Sequence, residues 1–263
     1  GIKEEMERQD GAVEQLAYLC KKVDEVGQKI YLFIDEYDNF TNMILASEEH
    51  LVRYRKQTHG EGYLRKFFNT IKGAAGSALA RVFVTGVSPV TMDDLTSGFN
   101  IGTNYSLSPC FNELTGFTEE EVREMLEYYA SVLPFNHTVD ELIEVMKPWY
   151  DNYCFAEEEY GKVTMYNSVM VLNFLTNYID SGYGIPKKMV ESNIRMDYDK
   201  LRMLIRHDKN FSHDASIIQD LVTKGFVTGK LVENFPAENI NDPDNFLSLL
   251  FYFGMVTIAG EYK

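Results

Sequence analysis

The segment "KIYLFIDEYDNF", Lys29–Phe40, contains the side chains best suited to chemistry. Its apolar run, Tyr31–Ile34, leads directly into Asp35 and Glu36, and Asp38 follows one residue later. One carboxylate at such a position can hold Mg²⁺, and a second can orient and polarise an attacking water. The alternative interpretation is that these acids are only the polar rim where a buried strand reaches the surface.

The elements that must position these acids follow an α/β rhythm. Apolar residues at three- and four-residue spacing predict a helix from Val13 to Val26, with Gly27 as its C-cap, before a strand at Ile30–Ile34. A second helix is predicted around Tyr63–Ile71, and the run "RVFVTGVSPV", Arg81–Val90, predicts a second strand. This order favours a parallel sheet, and the continuous apolar runs predict a sheet buried on both faces.

A third strand is predicted at Asn104–Leu107, and after about residue 110 the pattern changes to helices without intervening strands. Asn167 or Ser168 is expected to cap one of these helices. The C-terminal part contains two short helical runs followed by "MVTIA", a strand pattern, which together predict a winged-helix-like module. Two pairs have the spacing of a capping box: Thr118 with Glu121, and Thr138 with Glu141.

Composition limits the classes of function. The net charge is −15 and the pI is about 4.8, which disfavours binding to a phosphate backbone. No apolar run reaches the roughly 18 residues needed to span a bilayer, so no membrane partner is expected. Cys20, Cys110 and Cys154 lie far apart without metal-ligand spacing, which favours reduced thiols in a cytoplasmic protein.

A resemblance to a known family rests on six stretches that occur in a fixed order. They are "LFIDEYDNF", "RVFVTGVSPV", "SGFN", "LTGFTEEEV", "WYDNYCF" and "YNSVMVLNFL". Together they resemble the predicted AAA-ATPase-like family of bacteria, in which the ATPase part usually precedes a restriction-endonuclease-like nuclease domain. The resemblance covers roughly residues 20–260. It implies a partial P-loop NTPase core with a parallel sheet over 1–110, a helical lid over 111–182 and a winged-helix-like region over 183–263.

The resemblance also implies roles for individual residues. An apolar strand that runs into Asp-Glu has the form of a Walker B motif, so Asp35 is expected to hold Mg²⁺ and Glu36 to be the catalytic, water-activating residue. Thr85 corresponds to the polar sensor position of the nucleotide site, although a strand-end threonine can equally bond the backbone. Asp38 has two interpretations, a supporting acid or a turn-forming residue.

The sequence also departs from the family pattern in ways that bear on its activity. The sequence contains no G-x-x-x-x-G-K-S/T loop and no nuclease domain, and Gly1 is not an initiator methionine. We therefore expect a fragment or truncated member. Its full-length form is expected to bind Mg²⁺ and ATP and to act on a protein partner or a fused nuclease domain, whereas neither ligand is expected on this chain alone. The alternatives are a non-catalytic interaction module with a vestigial Walker B and, as a weaker one, a metal-dependent nuclease.

The aromatic cluster of "WYDNYCF" also has two interpretations. Trp149 and Phe155 are predicted to be largely buried in the core of the lid. If both instead lie exposed and contiguous, the segment is better explained as a partner surface.

Overall fold

The computed structural model describes residues 1–38, 59–60, 62–87, 102–190, 212–236 and 242–261, with Val52, Lys56 and Asn239 as single positions. The described residues divide into two compact units. The first comprises those of Gly1–Thr103 and Asp199–Phe253, and the second those of Asn104–Tyr198 and Gly254–Lys263. The three segments proposed from the sequence stay a prediction. The "SGFN" stretch lies outside the described residues.

Most of the regular structure among the described residues is helical. In chain order they are α1 Ile2–Glu7, α2 Ala12–Glu25, α3 Tyr63–Ala74, α4 Glu119–Val132, α5 Val139–Tyr150, α6 Ser168–Asp180, α7 Ser212–Lys224 and α8 Pro243–Tyr252. The strands are β1 Ile30–Ile34 and β2 Leu79–Val84. They pair in parallel, so that Ile34 lies opposite Val84, which confirms the predicted parallel sheet. Among the described helices, none is both long and apolar enough to cross a bilayer.

The turn from α2 into β1 places the first strand. Gly27 has φ +67° and donates its N–H to the Asp24 carbonyl at 3.0 Å, and Gln28 donates to the Val23 carbonyl at 3.0 Å. This pair of hydrogen bonds is a Schellman motif, which needs a left-handed residue that glycine adopts without strain. The helix therefore stops where Gly27 predicts, and β1 begins three residues later at Ile30.

The core of the first unit lies on one face of the sheet. Buried residues of α2, α3, β2 and the turn that precedes β2 form it: Cys20, Phe68, Ile71, Ala74, Ala78 and Leu79. On the opposite face Tyr31 is 66% exposed, Phe33 is 72% exposed and Phe83 is 47% exposed. The prediction of a sheet buried on both faces is therefore wrong for the described residues. Strand side chains alternate between faces, and an apolar strand does not reveal how many faces helices cover.

Two predicted strands do not form among the described residues. At Asn104–Leu107 the Asn104 side chain instead accepts hydrogen bonds from the Ser106 N–H at 3.0 Å and the Ser106 hydroxyl at 2.7 Å, which closes a turn. In the "MVTIA" segment the Thr257 hydroxyl bonds the Cys154 N–H at 2.8 Å and the Cys154 carbonyl at 3.3 Å. Side-chain bonds thus replace the backbone ladder, and the winged-helix-like module stays a prediction.

The second unit is built around α4, α5 and α6. Both predicted capping boxes are confirmed: the Thr118 hydroxyl accepts from the Glu121 N–H at 3.2 Å, and the Thr138 hydroxyl accepts from the Glu141 N–H at 3.2 Å. Asn167 caps α6, accepting the Met170 N–H at 3.1 Å. The buried core consists of Val122, Leu126, Leu142, Ile143, Met146, Tyr150, Tyr166, Val171, Phe174, Leu175 and Tyr178.

Three of the family-like stretches are the joints of this helical unit. Phe117 of "LTGFTEEEV" and Tyr166 of "YNSVMVLNFL" exchange two backbone hydrogen bonds, at 3.0 and 2.7 Å. The Asn167 N–H donates to the carbonyl of Tyr150, in "WYDNYCF", at 2.8 Å. At Gly116 φ is +95°, and an added Cβ would lie 2.7 Å from the Tyr166 carbonyl oxygen. These stretches hold helix ends together.

The prediction that Trp149 is buried is wrong. Its side chain is 58% exposed, whereas its neighbour Tyr150 is 1% exposed. The buried positions of α5 follow the helical period through Met146 to Tyr150, and residue 149 falls outside that stripe. Phe155 is half-buried and stacks on Tyr153 with ring centroids 6.3 Å apart. Because only one of the two aromatics is exposed, the condition set for a partner surface is not met.

Candidate functional site

Two polar side chains meet where the parallel strands end. Asp35 directly follows β1, and Thr85 directly follows β2. The Thr85 N–H donates to the Ile34 carbonyl at 2.8 Å, which continues the strand pairing by one step. In open α/β sheets ligands bind beyond the carboxyl ends of the strands. The predicted placement of Asp35 at the end of its strand, beside Thr85, is therefore observed.

The Asp35 carboxylate is oriented by two hydrogen bonds. Its Oδ1 accepts from the Thr85 hydroxyl at 2.6 Å and from the Glu36 N–H at 2.9 Å. The Thr85 hydroxyl lies farther from the Ile34 carbonyl, at 3.5 Å, so its single hydrogen points to the carboxylate. No described residue donates a hydrogen bond to Oδ2, and the side chain of Asp35 is exposed. Oδ1 is thus held by two hydrogen bonds on a side chain that solvent can reach.

Glu36 adopts a left-handed backbone. Its φ is +50°, a conformation that costs a residue other than glycine about 1–2 kcal/mol. The regular strand has ended at Ile34, and the Glu36 side chain is exposed next to Asp35. Strain of this kind concentrates at functional sites because the surrounding contacts enforce it. Two adjacent carboxylates therefore stand at the sheet edge, one hydrogen-bonded and one at a strained turn.

Asp38 is positioned differently from the other two acids. It is 1% exposed, and its Oδ2 accepts a hydrogen bond from the Val87 N–H at 3.2 Å. In the described part of the chain, no group of three or more His, Cys, Asp or Glu side chains is arranged to hold a metal ion. Asp38 thus binds a backbone amide of the segment after β2. Of its two interpretations, the geometry favours a supporting acid.

Two further residues of this site were missed from the sequence. The Tyr37 N–H donates to the Thr85 carbonyl at 3.1 Å, and burial, together with the negative charge of Asp38, raises the pKa of the Tyr37 phenol. An added Cβ at Gly86 would lie 2.4 Å from the Tyr37 ring and 2.6 Å from Asp38 Oδ1. Nothing in the sequence singled out Gly86.

The residues present fit a magnesium ion. Mg²⁺ prefers oxygen ligands and is usually held by one or two carboxylates, with water and substrate phosphates completing its coordination. Asp35 offers an exposed carboxylate whose orientation Thr85 fixes. A single protein carboxylate therefore agrees with this type of site. The sequence holds no Gly-Lys-Ser/Thr loop to bind the phosphates themselves.

Comparison with known proteins identifies one similarity. A family model described as predicted AAA-ATPase matches residues 2–96. The matched stretch includes Asp35, Glu36, Asp38 and Thr85 and ends before the stretches that join the second unit. No curated protein and no solved structure matches the chain.

Proposed function

We propose that this chain carries the magnesium and water side of an ATPase site, because residues 2–96 match the family model described as predicted AAA-ATPase. The observation that carries the proposal is the parallel pairing that places Asp35 and Thr85 side by side at the strand ends, 2.6 Å apart, with Glu36 adjacent. A strand-end Asp-Glu pair beside a polar residue on the neighbouring strand supplies one group for the cation and one for the nucleophile.

Each residue has a separate task. Asp35 would hold the magnesium ion, directly or through water, with the oxygen that does not bond Thr85. Glu36 would orient and polarise the water that attacks the terminal phosphate. Thr85 fixes the carboxylate and occupies the polar sensor position. When bound, Mg²⁺ neutralises negative charge on the phosphate oxygens.

In this proposal, residues outside this sequence supply the phosphate-binding side. Losing the lysine and the backbone cradle removes several charge-assisted hydrogen bonds, each worth roughly 1.5–3 kcal/mol. Because roughly 1.4 kcal/mol corresponds to a tenfold change in affinity, the loss of two or three such bonds weakens ATP binding by several powers of ten. Tyr31, Phe33 and Phe83 form an exposed aromatic face of the sheet. Because parallel sheets are normally covered on both faces, this exposure supports the proposal that additional protein packs on that face in the full-length form.

The full-length form is therefore proposed to be a cytoplasmic ATPase that drives or gates a protein partner or a fused nuclease domain. ATP and Mg²⁺ are its ligands. The net charge of −15 makes DNA the less favoured partner.

Calorimetric titration tests this proposal. Mg-ATP added to the 263-residue chain should give no micromolar binding. A form that carries a Gly-Lys-Ser loop ahead of these residues should bind Mg-ATP, and Asp35→Asn should weaken that binding in Mg²⁺ but leave it unchanged in EDTA. Micromolar binding by the chain alone, or equal effects of Asp35→Asn with and without Mg²⁺, would contradict the proposal.

A further inference from the structure

We propose that Asp38 is a positioning residue that holds Thr85 against Asp35. This inference rests on the proposed function, because the pair it aligns is the proposed cation site. Asp38 itself is 1% exposed and is not expected to touch the cation. It acts through the segment after β2, whose Val87 N–H donates to Asp38 Oδ2 at 3.2 Å.

Asp38 has a partner that is distant in sequence, which points to a role beyond its own turn. A turn-forming aspartate bonds the backbone about two residues onward in its own turn. Asp38 accepts a hydrogen bond from an amide 49 residues away. The turn after β1 and the segment after β2 are therefore joined by a side chain at the point where neither is part of the strand ladder.

Three successive hydrogen bonds join the segment after β1 to the segment after β2. The Thr85 N–H bonds the Ile34 carbonyl at 2.8 Å, the Tyr37 N–H bonds the Thr85 carbonyl at 3.1 Å, and the Val87 N–H bonds Asp38 at 3.2 Å. Thr85 lies in the middle of this series. Its hydroxyl reaches Asp35 at 2.6 Å, so the last bond, made by Asp38, fixes the backbone beyond the residue that orients the carboxylate.

Close packing at Gly86 supports the same role. An added Cβ there would lie 2.4 Å from the Tyr37 ring and 2.6 Å from Asp38 Oδ1. Gly86 does not have a positive φ, so its backbone conformation does not require glycine. Glycine is required because a larger side chain has no room there. The segment after β2 thus lies directly on the side chains of Tyr37 and Asp38, with no room for a methyl group between them.

The test compares Asp38→Ala with Asp38→Asn in the 263-residue chain, using methyl-labelled NMR without nucleotide. Asp24→Ala, at an exposed acid near the end of α2, is the matched control. Loss of the Val87 bond in Asp38→Ala should speed Val87 amide exchange about tenfold, the factor expected for one hydrogen bond. It should also make the Thr85 side chain average between rotamers while Val82 in β2 stays unchanged. Asp38→Asn keeps a carbonyl oxygen for Val87 and should restore both signals.

Mn²⁺, used as a paramagnetic probe, separates the two proposals. Millimolar Mn²⁺ should broaden the signals of Asp35 and of its neighbour Thr85 in the wild-type chain and in Asp38→Ala alike, because the paramagnetic effect of the ion reaches well beyond the length of one hydrogen bond. Absence of broadening in the wild type would count against the proposed cation site, whereas the rotamer and exchange results judge Asp38 alone. A single Thr85 rotamer in Asp38→Ala, or failure of Asp38→Asn to restore it, would overturn the role of Asp38.

A second variant keeps the test decisive if Asp38→Ala does not fold. Gly86→Ala displaces the same segment from the other side and should produce the same rotamer averaging at Thr85. Gly73→Ala is its control, because a Cβ at Gly73 meets no atom within 4 Å and its φ is not positive. Unchanged Thr85 signals in Gly86→Ala would also overturn the proposal.

Discussion

Glu36 combines a proposed chemical role with a strained backbone, and the two can be separated by substitution. Glycine adopts φ near +50° without the steric cost that other residues bear. Glu36→Gly should therefore be more stable than Glu36→Ala by about 1 kcal/mol, although both lose the carboxylate. Urea unfolding of the two variants measures this difference. Equal stabilities would mean that the turn after β1 is not held in the left-handed conformation.

Gly116 tests a different kind of glycine requirement, because space and backbone conformation both restrict it. Its φ is +95°, and an added Cβ would lie 2.7 Å from the Tyr166 carbonyl oxygen. Gly161, with φ +76° and nothing within 4 Å, isolates the backbone contribution. Gly161→Ala should cost about 1 kcal/mol and Gly116→Ala about 3 kcal/mol.

Thermal or urea unfolding of the two alanine variants provides the comparison. Similar losses at Gly116 and Gly161 would show that the Phe117–Tyr166 joint yields to an extra methyl group. In that case "LTGFTEEEV" would not be explained by close backbone packing.

Among the elements, the helices of the second unit depend on ionised glutamates. The hydrogen bond from Lys147, at 2.6 Å, lowers the pKa of Glu119, and the Thr138 N–H, at 2.8 Å, together with the Thr138 hydroxyl lowers the pKa of Glu141. A lowered pKa means that the charged form stabilises the fold above the usual carboxyl pKa. That stabilisation is lost as the pH falls through the lower folded value.

The melting temperature should therefore decrease as the pH is lowered from about 5 to about 3. This decrease should be less steep when both glutamates are replaced by glutamine. Calorimetry across this range, with Glu120→Gln as a control on an exposed residue of the same helix, measures the slope. The same slope in the double variant and in the wild type would show that other carboxylates dominate acid sensitivity.

The sequence predicted those elements whose ends are defined by local chemistry. The capping boxes at Thr118 and Thr138 and the stop at Gly27 rest on contacts within a few residues, and all three are observed. The strand predicted at Asn104–Leu107 fails because a side chain competes with the backbone for its hydrogen bonds. The "MVTIA" strand fails because Thr257 bonds a segment about a hundred residues away, which no local pattern encodes.

The same distinction between local and long-range contacts applies to the candidate site. A single apolar strand sufficed to predict Asp35 at a strand end, whereas Thr85 was predicted from the family resemblance, and the parallel pairing places it on the neighbouring strand. Asp38 was left undecided, because its role depends on Val87, and Gly86 was not singled out at all. Long-range packing between two strand ends is a property of the fold and is not visible in either segment alone.

For the molecule as a whole, the proposal that additional protein covers the sheet explains why one of its faces is exposed. Phe33 is 72% exposed, whereas Phe68, beneath the sheet, is 2% exposed. Phe33→Thr should change the free energy of unfolding of this chain by less than about 0.5 kcal/mol, and Phe68→Thr should cost about 3 kcal/mol. Urea unfolding distinguishes them. A large loss at Phe33 would mean that this face is already covered.

The central claim is that Glu36 activates water at a cation held by Asp35, and turnover measured beside binding tests it most directly. In a form that carries a Gly-Lys-Ser loop, Glu36→Gln should lower the ATP hydrolysis rate by about a hundredfold or more, as expected for loss of a general base. The Mg-ATP dissociation constant should stay within about threefold, because the glutamine preserves shape and leaves Asp35 intact. Glu14→Gln, an exposed acid on α2, should change neither value. Undiminished turnover in Glu36→Gln, with Glu14→Gln also active, would contradict the account.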